Sequence, residues 1–323
     1  MALIEEQKKF RRRNQLMSDN LARGTGLLII EVVNSNPNGD PDRESDPRQL
    51  PDDRGMISSV SFKRKLRNLV GDKEGPAWAY LQGRFGLNAE EHFILETRGR
   101  VRKDITEEMT SGVFTGKYWD ARVFGNTFLE GKNGDESDDE AKLWQYIKCG
   151  AVQFGLGVSI APVEIDRSTV TNMPGVQDGK TRGMAPLAFR IVKHGVYAMP
   201  FFVNPFAGRQ AGCTAQDIET MLATIPIAYS NTASVARPFV TIRKAWYIEH
   251  KTPLGSVSDY MILDALTPRK LNDPDVPSKR WGEYEAPDVL PAEVLARVAT
   301  VRELMSEYDA VVNGISVGGG GAA

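Results

Sequence analysis

Apolar residues along the chain follow two periodicities, one typical of strands and one typical of helices. Continuous or alternating apolar runs with high β-propensity predict strands in four segments: 27–33, 151–165, 189–199 and 239–249. Apolar residues spaced three and four apart, behind side chains that can cap a helix, predict two helices: 58–70 and 214–225. This order favours an α+β fold with a split β-α-β, ferredoxin-like core. A doubly wound sheet is the alternative, but it needs more helices between the strands.

Segments without regular hydrophobic spacing predict long insertions in this core. Turn-forming residues fill 34–55 after the first strand. Residues 166–186 form a second irregular stretch, of a length that is uncommon in compact domains and often functional. We therefore divide the chain into three parts: a polar, basic arm at 1–22, a core at 23–266, and a C-terminal part at 267–323 with a Pro-rich peripheral loop, a helix over 291–310 and a flexible tail.

Charge is sorted by region along the chain. The 323 residues hold 40 Lys and Arg against 42 Asp and Glu, so the formal net charge is only −2. Residues 141–252, however, contain 12 basic and six acidic side chains, whereas 130–140 contain six acids and one Lys. Residues 253–323 contain 11 acids and six basic side chains. The total excludes a polycation that binds nucleic acid along its whole length, but a basic surface in one region remains possible.

Few features support a metal site, a common enzyme motif or a membrane segment. Two Cys and three His form neither a disulfide framework nor an HExxH or Cys-rich zinc motif. The nearest match to a phosphate-binding loop, Gly175–Thr181, is one residue short, and Gly155–Gly157 lacks the third glycine of a dinucleotide fingerprint. No stretch of 18 apolar residues occurs. We therefore expect a soluble, cytoplasmic protein with no cofactor and no membrane partner.

The predicted helix over 58–70 carries four cations and no compensating acid. On a solvated helix, Glu interleaved with Lys would give pairing at i,i+4, yet no acid lies between Gly55 and Gly71. Each basic cluster alone fits a solvated surface, but together they favour a groove that follows a phosphate backbone, with apolar groups placed against bases. The candidate residues are Lys63, Arg64, Arg67, Arg98, Arg100, Met173, Lys180 and Arg182.

The loop after the first strand is rich in carboxylates. Oxygen ligands suit a hard metal ion, but proline punctuation and the absence of EF-hand spacing favour turn-forming roles. Asp40 differs from the others, because it lies seven residues past the strand end, where a catalytic carboxylate would be displayed. The six acids are Asp40, Asp42, Glu44, Asp46, Asp52 and Asp53.

Six segments within about residues 26–266 carry a resemblance to a known family. They are Asn36–Pro41, Gly55–Asn68, Trp119–Gly125, Val152–Ile160, His194–Tyr197, and Ala236-Arg237 followed by His250–Gly255. In this order they resemble the backbone-subunit family (Cas-seven) of type I CRISPR Cascade complexes, especially its I-B and I-C branches. The arm at 1–22 and the Pro-rich stretch near 267–291 are not obviously part of that family's core.

The resemblance implies an RRM-like, modified ferredoxin-like palm with fingers and a thumb, the thumb falling at about 166–186. Such subunits polymerise along a guide RNA and leave its bases free to pair with DNA, so protein contacts the backbone and base pairing carries sequence. The implied partners are crRNA, the target DNA strand within the guide heteroduplex, copies of the chain itself and other Cascade subunits. The matched segments add four candidate RNA-binding residues: Asn38, Arg122, Gln153 and Arg237.

Two other functions compete with this interpretation. Backbone subunits of type III complexes cut target RNA with a metal ion and a loop Asp, a role that Asp40 would take here. The type I branch does not cleave, so the resemblance favours a chain that is not an enzyme. A stand-alone RNA-binding module, which would bind RNA as a monomer without assembling along it, is the third possibility.

Overall fold

The computed structural model describes residues 21–97, 105, 108, 113–126, 149–172 and 185–318. The strands within these residues are β1 (Gly24–Ser35), β2 (Arg54–Ile57), β3 (Val152–Phe154), β4 (Gly157–Pro162), β5 (Ile165–Asn172), β6 (Ala185–Val203), β7 (Phe239–His250), β8 (Arg269–Lys270), β9 (Tyr284–Glu285) and β10 (Val298–Glu303). The α-helices are α1 (Ser59–Gly71), α2 (Pro76–Phe85), α3 (Phe114–Lys117), α4 (Trp119–Phe124), α5 (Pro205–Ala211), α6 (Ala215–Thr224), α7 (Asp259–Leu266), α8 (Ala292–Leu295) and α9 (Tyr308–Gly318).

The central sheet is antiparallel and has the order β10-β7-β1-β6-β4-β2, with β3 and β5 also paired to β6. Within it, β1, α1, β4, β6, α6 and β7 follow one another along the chain. Their four strands lie in the order fourth, first, third, second, which is the ferredoxin-like arrangement. The predicted α+β fold with a ferredoxin-like core is confirmed, and the doubly wound sheet is excluded.

Alternate residues of β1 point to two separate cores, because side chains alternate between the faces of a strand. Leu28, Ile30 and Val32 pack with the apolar faces of α1 and α6. Leu27 and Ile29 pack on the opposite face with residues of the segment 257–298. The sheet is therefore covered on both faces, and β1 reads as a continuous apolar run for that reason.

Side-chain caps fix where the two core helices begin. Ser58 precedes α1, and its Oγ accepts a hydrogen bond from the amide of Ser61. Thr214 and Asp217 form a reciprocal capping box at α6. The sequence predicts Ser58 or Ser59 as the cap of the first helix and Thr214 with Asp217 as the cap of the second; the structure selects Ser58 and confirms Thr214.

The prediction of an irregular stretch at 166–186 is wrong at both ends, because both ends are strands. Ile165–Asn172 and Ala185–Val203 are strands that pair with each other from Ile165 opposite Val192 to Asn172 opposite Ala185. The stretch lacks hydrophobic periodicity because this ribbon projects beyond the sheet and exposes residues 166–169. Residues 173–184 lie outside the described residues.

The C-terminal part also differs from its prediction. Instead of one helix over 291–310, the chain forms α8, the strand β10, a 3-10 turn at Leu304–Glu307 and then α9. The strand forms because Val298–Glu303 pairs with the edge of β7. The Pro-rich stretch is not peripheral, since Tyr284 and Leu290 are buried in the second core.

Gly125 and Gly150, on either side of residues 127–148, lie in backbone contact. The amide of Gly150 lies 2.7 Å from where a Cβ on Gly125 would stand, and Gly125 has a φ of +82°. A side chain at either glycine would collide with the backbone of the other. The two ends of this segment are therefore held together by the fold itself.

Among the helices of the described residues, none is both long enough and apolar enough to cross a membrane.

Candidate nucleic-acid interface

Helix α1 brings cations to the surface with few carboxylates beside them. Its apolar stripe of Phe62, Leu66 and Val70 is buried in the first core, which leaves the basic positions on its flanks and outer face. Arg64 is exposed and forms no hydrogen bond or ion pair with any described residue. A guanidinium in this state presents all its N–H donors to an incoming anion.

Lys65 is the most unusual cation of this helix. Its side chain is buried, with Nζ 3.0 Å from the carbonyl oxygen of Ser61 and 5.0 Å from the ring centre of Tyr229. The pKa of Lys65 is lowered to about 8, mainly by burial and in addition by the nearby cations Arg237 and Arg64. Since no carboxylate raises this pKa, an anion placed here would relieve the repulsion.

Arg237 reaches this location from the loop between α6 and β7. Its Nε donates to the carbonyl oxygen of Asn36 at 2.9 Å, and the amide of Asn36 donates to the carbonyl oxygen of Ala236 at 2.7 Å. The two loops hold each other, and Arg237 is fixed close to Lys65. We call Arg64, Lys65 and Arg237 the cation set.

The sequence-based candidates omitted Lys65, although a signal was present. Lys65 lies three residues after Phe62 and four before Leu69, so it borders the apolar stripe of α1. A lysine at such a position keeps its stem among apolar groups and its charge near their edge.

Lys63 and Arg67 lie over the ring of Phe124, with Nζ 5.6 Å and the guanidinium carbon 5.1 Å from its centre. Burial lowers the pKa of Lys63, and the neighbouring charge of Arg67 adds to the effect. Lys63 stays half-exposed and available. Arg67 is only 6% exposed and pairs with Asp120 at 2.9 Å and Glu96 at 3.1 Å. Its geometry fits a structural ion pair better than a phosphate contact.

Arg122 has no donor left for RNA. Nε and Nη2 donate to the carboxylate of Asp217 at 3.0 and 2.7 Å. Nη1 donates to the carbonyl oxygens of Thr115 and Gly116, and Nη2 also donates to that of Glu91. All five N–H groups are thus satisfied inside the protein. This geometry counts against the prediction that Arg122 binds RNA, because a guanidinium whose donors are all engaged in the core ties elements together.

Asn38 and Gln153 occupy different settings. The side-chain oxygen of Asn38 accepts from the amide of Ser58 at 2.8 Å, so it holds the start of α1. Gln153 is exposed on β3. The remaining candidates lie outside the described residues: Arg98, Arg100, Met173, Lys180 and Arg182.

A cleft of about 890 Å³ extends the cation set into a concave surface. Arg64, Lys65 and Asn68 of α1 line it, together with Asn231 and Thr232 from the loop after α6. Asp72 and Glu96 also line the cleft, but its cations, amides and hydroxyls suit the phosphates and sugars of a nucleic-acid strand, which take hydrogen bonds from these groups.

The acidic loop after β1 is occupied by internal contacts. The carboxylate of Asp40 accepts from the amide of Asp42 at 3.2 Å and lies 3.5 Å from Arg48. Asp46 binds Arg167 and Arg190. In the described part of the chain, no three His, Cys, Asp or Glu side chains come close enough together to hold a metal ion.

Comparisons with known proteins agree on one family. A family model for CRISPR-associated protein Cas7 matches residues 22–287. A CRISPR-associated protein Cas7 from Haloferax volcanii is 24% identical over 228 residues, and this match spans 62% of each chain.

Two solved structures are also similar. A chain of a structure described as a CRISPR RNA-guided surveillance complex, pre-nicking, is 14% identical, with a TM-score of 0.42 over 73% of this chain and 80% of that chain. A chain of the type III-B Cmr-beta complex bound to cognate target RNA is 11% identical, with a TM-score of 0.39 over 76% of this chain and 67% of that chain.

Proposed function

Because the chain belongs to the CRISPR-associated Cas7 family, we propose that it is a guide-RNA-binding backbone subunit of a type I CRISPR surveillance complex. In this role, copies of the chain assemble along crRNA and support its pairing with a target DNA strand. Its further partners are the other Cascade subunits.

The cation set is the observation that carries this proposal. Lys65 is buried beside Arg64 and Arg237, and burial, with the neighbouring positive charge next, lowers its pKa. Leaving such charges without a carboxylate costs stability unless an anion arrives. A phosphate of an RNA backbone is an anion of the right size, and it carries no sequence information. The cation set therefore fits a subunit that holds a guide without reading it.

We further propose that the chain does not cleave RNA. The loop carboxylate that a ribonuclease would use, Asp40, caps a 3-10 turn at Pro41–Arg43 and faces Arg48. These contacts give it a structural role.

The nucleic acid that co-purifies with the assembled complex tests the proposal. We expect a discrete short RNA with a repeat-derived end, lost when Arg64, Lys65 and Arg237 are neutralised together. Arg269→Gln is the matched control, because Arg269 is an exposed cation on β8, in the segment that packs on the opposite face of the sheet. A wild-type complex that carries no RNA would contradict the proposal, as would equal RNA content in the neutralised variant.

A further inference from the structure

The β5–β6 ribbon leaves the sheet without a third strand to support it. β1 pairs with β6 only as far as Ser35 opposite Val192. Beyond that point, β5 and β6 pair with each other alone within the described residues. A two-stranded ribbon is marginally stable by itself, so its direction depends on whatever holds its root.

One carboxylate holds that root through two arginines. Arg167 and Arg190 stand directly opposite each other on the two strands, an arrangement in which like charges repel. Asp46 bridges them, with Oδ2 2.6 Å from Nη2 of Arg167 and Oδ1 3.1 Å from Nη1 of Arg190. Glu44 adds a second contact to Arg190. The hydrogen bond from Arg167 also holds the pKa of Asp46 below its usual range.

The backbone before Asp46 is strained. Glu44 and Ser45 both have positive φ, at 49° and 68°, although neither is glycine. Such residues persist where surrounding contacts determine the conformation. Here the contacts are the two arginines of the ribbon and the Asn36 side chain, which donates to the carbonyl oxygen of Ser45 at 2.8 Å.

The same loop is attached to helix α1 at its other end. Asn38 accepts a hydrogen bond from the amide of Ser58, the residue that caps α1. Residues 36–46 therefore connect the helix that carries Arg64 and Lys65 to the ribbon, through Asn38 at one end and through Glu44 and Asp46 at the other.

We propose that Asp46 is a positioning residue that fixes the direction of the β5–β6 ribbon relative to helix α1. Its clamp on Arg167 and Arg190 places the described end of the ribbon, where Asn172 pairs with Ala185, in a set relation to the cation set. An effect of this clamp on RNA binding rests on the proposed function, because it requires one bound strand that contacts both the ribbon and the cation set.

The distance between ribbon and helix tests the clamp directly. Spin labels go on the exposed residues Thr169 and Val60, through Thr169→Cys and Val60→Cys, in a chain with Cys149→Ser. Cys213 is buried and stays. We expect one narrow interspin distance by pulsed electron resonance, and its loss to a broad distribution in Asp46→Asn. Asp52→Asn is the matched control, because Asp52 accepts a hydrogen bond from Arg54 at the start of β2 and has no contact with the ribbon among the described residues.

Arg167→Gln provides a second variant should Asp46→Asn fail to fold, since Arg167 is 57% exposed and its loss leaves Asp46 paired with Arg190. We also expect amide exchange in the ribbon to accelerate by about tenfold in both variants, the effect of losing one charge-assisted hydrogen bond. Narrow, unshifted distances in both variants would overturn the clamp. Failure of the unlabelled wild-type chain to bind RNA would instead overturn the proposed function and leave the clamp standing.

Discussion

Nε of Arg67 donates a hydrogen bond to Oδ2 of Asp120 at 2.9 Å, and both side chains are almost completely removed from solvent. Asp120 also accepts from the amides of Leu95 and Glu96, at 2.7 and 3.2 Å. This pair joins α1 to α4 and to the chain segment after residue 92. Arg67, which the sequence suggests as part of a cationic surface, thus forms a buried ion pair that joins two helices.

Arg67→Ala should therefore destabilise the protein rather than act on RNA alone. It leaves the carboxylate of Asp120 buried without its counter-ion, which costs about 3–5 kcal/mol in comparable cases. Urea unfolding of the purified chain measures the loss. Arg64→Ala is the control and should leave the unfolding midpoint unchanged. Equal midpoints for the two variants would contradict the structural role of Arg67.

Neutralising Arg64, Lys65 and Arg237 together should weaken RNA binding for every sequence. The slope of log affinity against log salt is negative, and each lost phosphate contact on a single strand makes it less steep by about 0.7. Anisotropy titrations of a labelled single-stranded RNA at several salt concentrations give this slope. A variant that loses affinity with an unchanged slope would show that the cation set does not meet phosphates.

RNA binding near pH 8 should take up protons at Lys65. Its pKa in the free protein is about 8, lowered from 10.5 by burial first and by Arg237 and Arg64 next. A bound phosphate favours the charged amine and raises the pKa. Between the free and bound values, binding therefore draws a proton from the buffer, and affinity falls as the pH rises through this range.

Calorimetric titrations in buffers of different ionisation enthalpy measure this uptake. Lys65→Met should abolish it. Lys73, whose pKa burial also lowers to about 8, remains in that variant and serves as an internal control. Without RNA, the stability of the protein should increase with pH, whereas the RNA affinity decreases. The unfolded chain keeps its proton on Lys65 up to a higher pH than the folded chain does. The free energy of unfolding therefore rises as the pH goes from about 8 towards 10.5.

Complementary RNA incubated with the assembled complex and Mg²⁺ should remain intact. Oδ1 of Asp40 is engaged with Arg48 and with the amide of Asp42, and in the described part of the chain no cluster of His, Cys, Asp or Glu side chains forms around it to hold a metal ion. Gel analysis of the RNA over time checks the expectation. Regularly spaced cuts that disappear in Asp40→Ala would replace the proposed function with that of a ribonuclease.

The ferredoxin-like core was predictable because local signals agree with the tertiary structure. The continuous apolar run of β1 reflects burial on both faces, and the caps at Ser58 and Thr214 are local hydrogen bonds between residues three apart. Periodicity and capping patterns depend on the same short-range physics. These patterns can therefore be recognised in the sequence without knowledge of the fold.

The site was harder to predict, because burial and partners of cations depend on distant residues. Arg122 finds Asp217 at a separation of 95 residues, and Arg67 finds Asp120 at a separation of 53. No periodicity in the sequence links these pairs. The same limit explains β10, whose residues become a strand only because the edge of β7 is free to pair with them.

The meeting of Gly125 and Gly150 gives the protein a natural point for engineering. Because the backbones of Gly125 and Gly150 touch, the two chain positions that flank residues 127–148 are held at a short, fixed separation. The entropy cost of closing a loop between two such points changes only slowly with the length of the loop. A short linker or a fluorescent domain that joins these two points should therefore leave the described core intact.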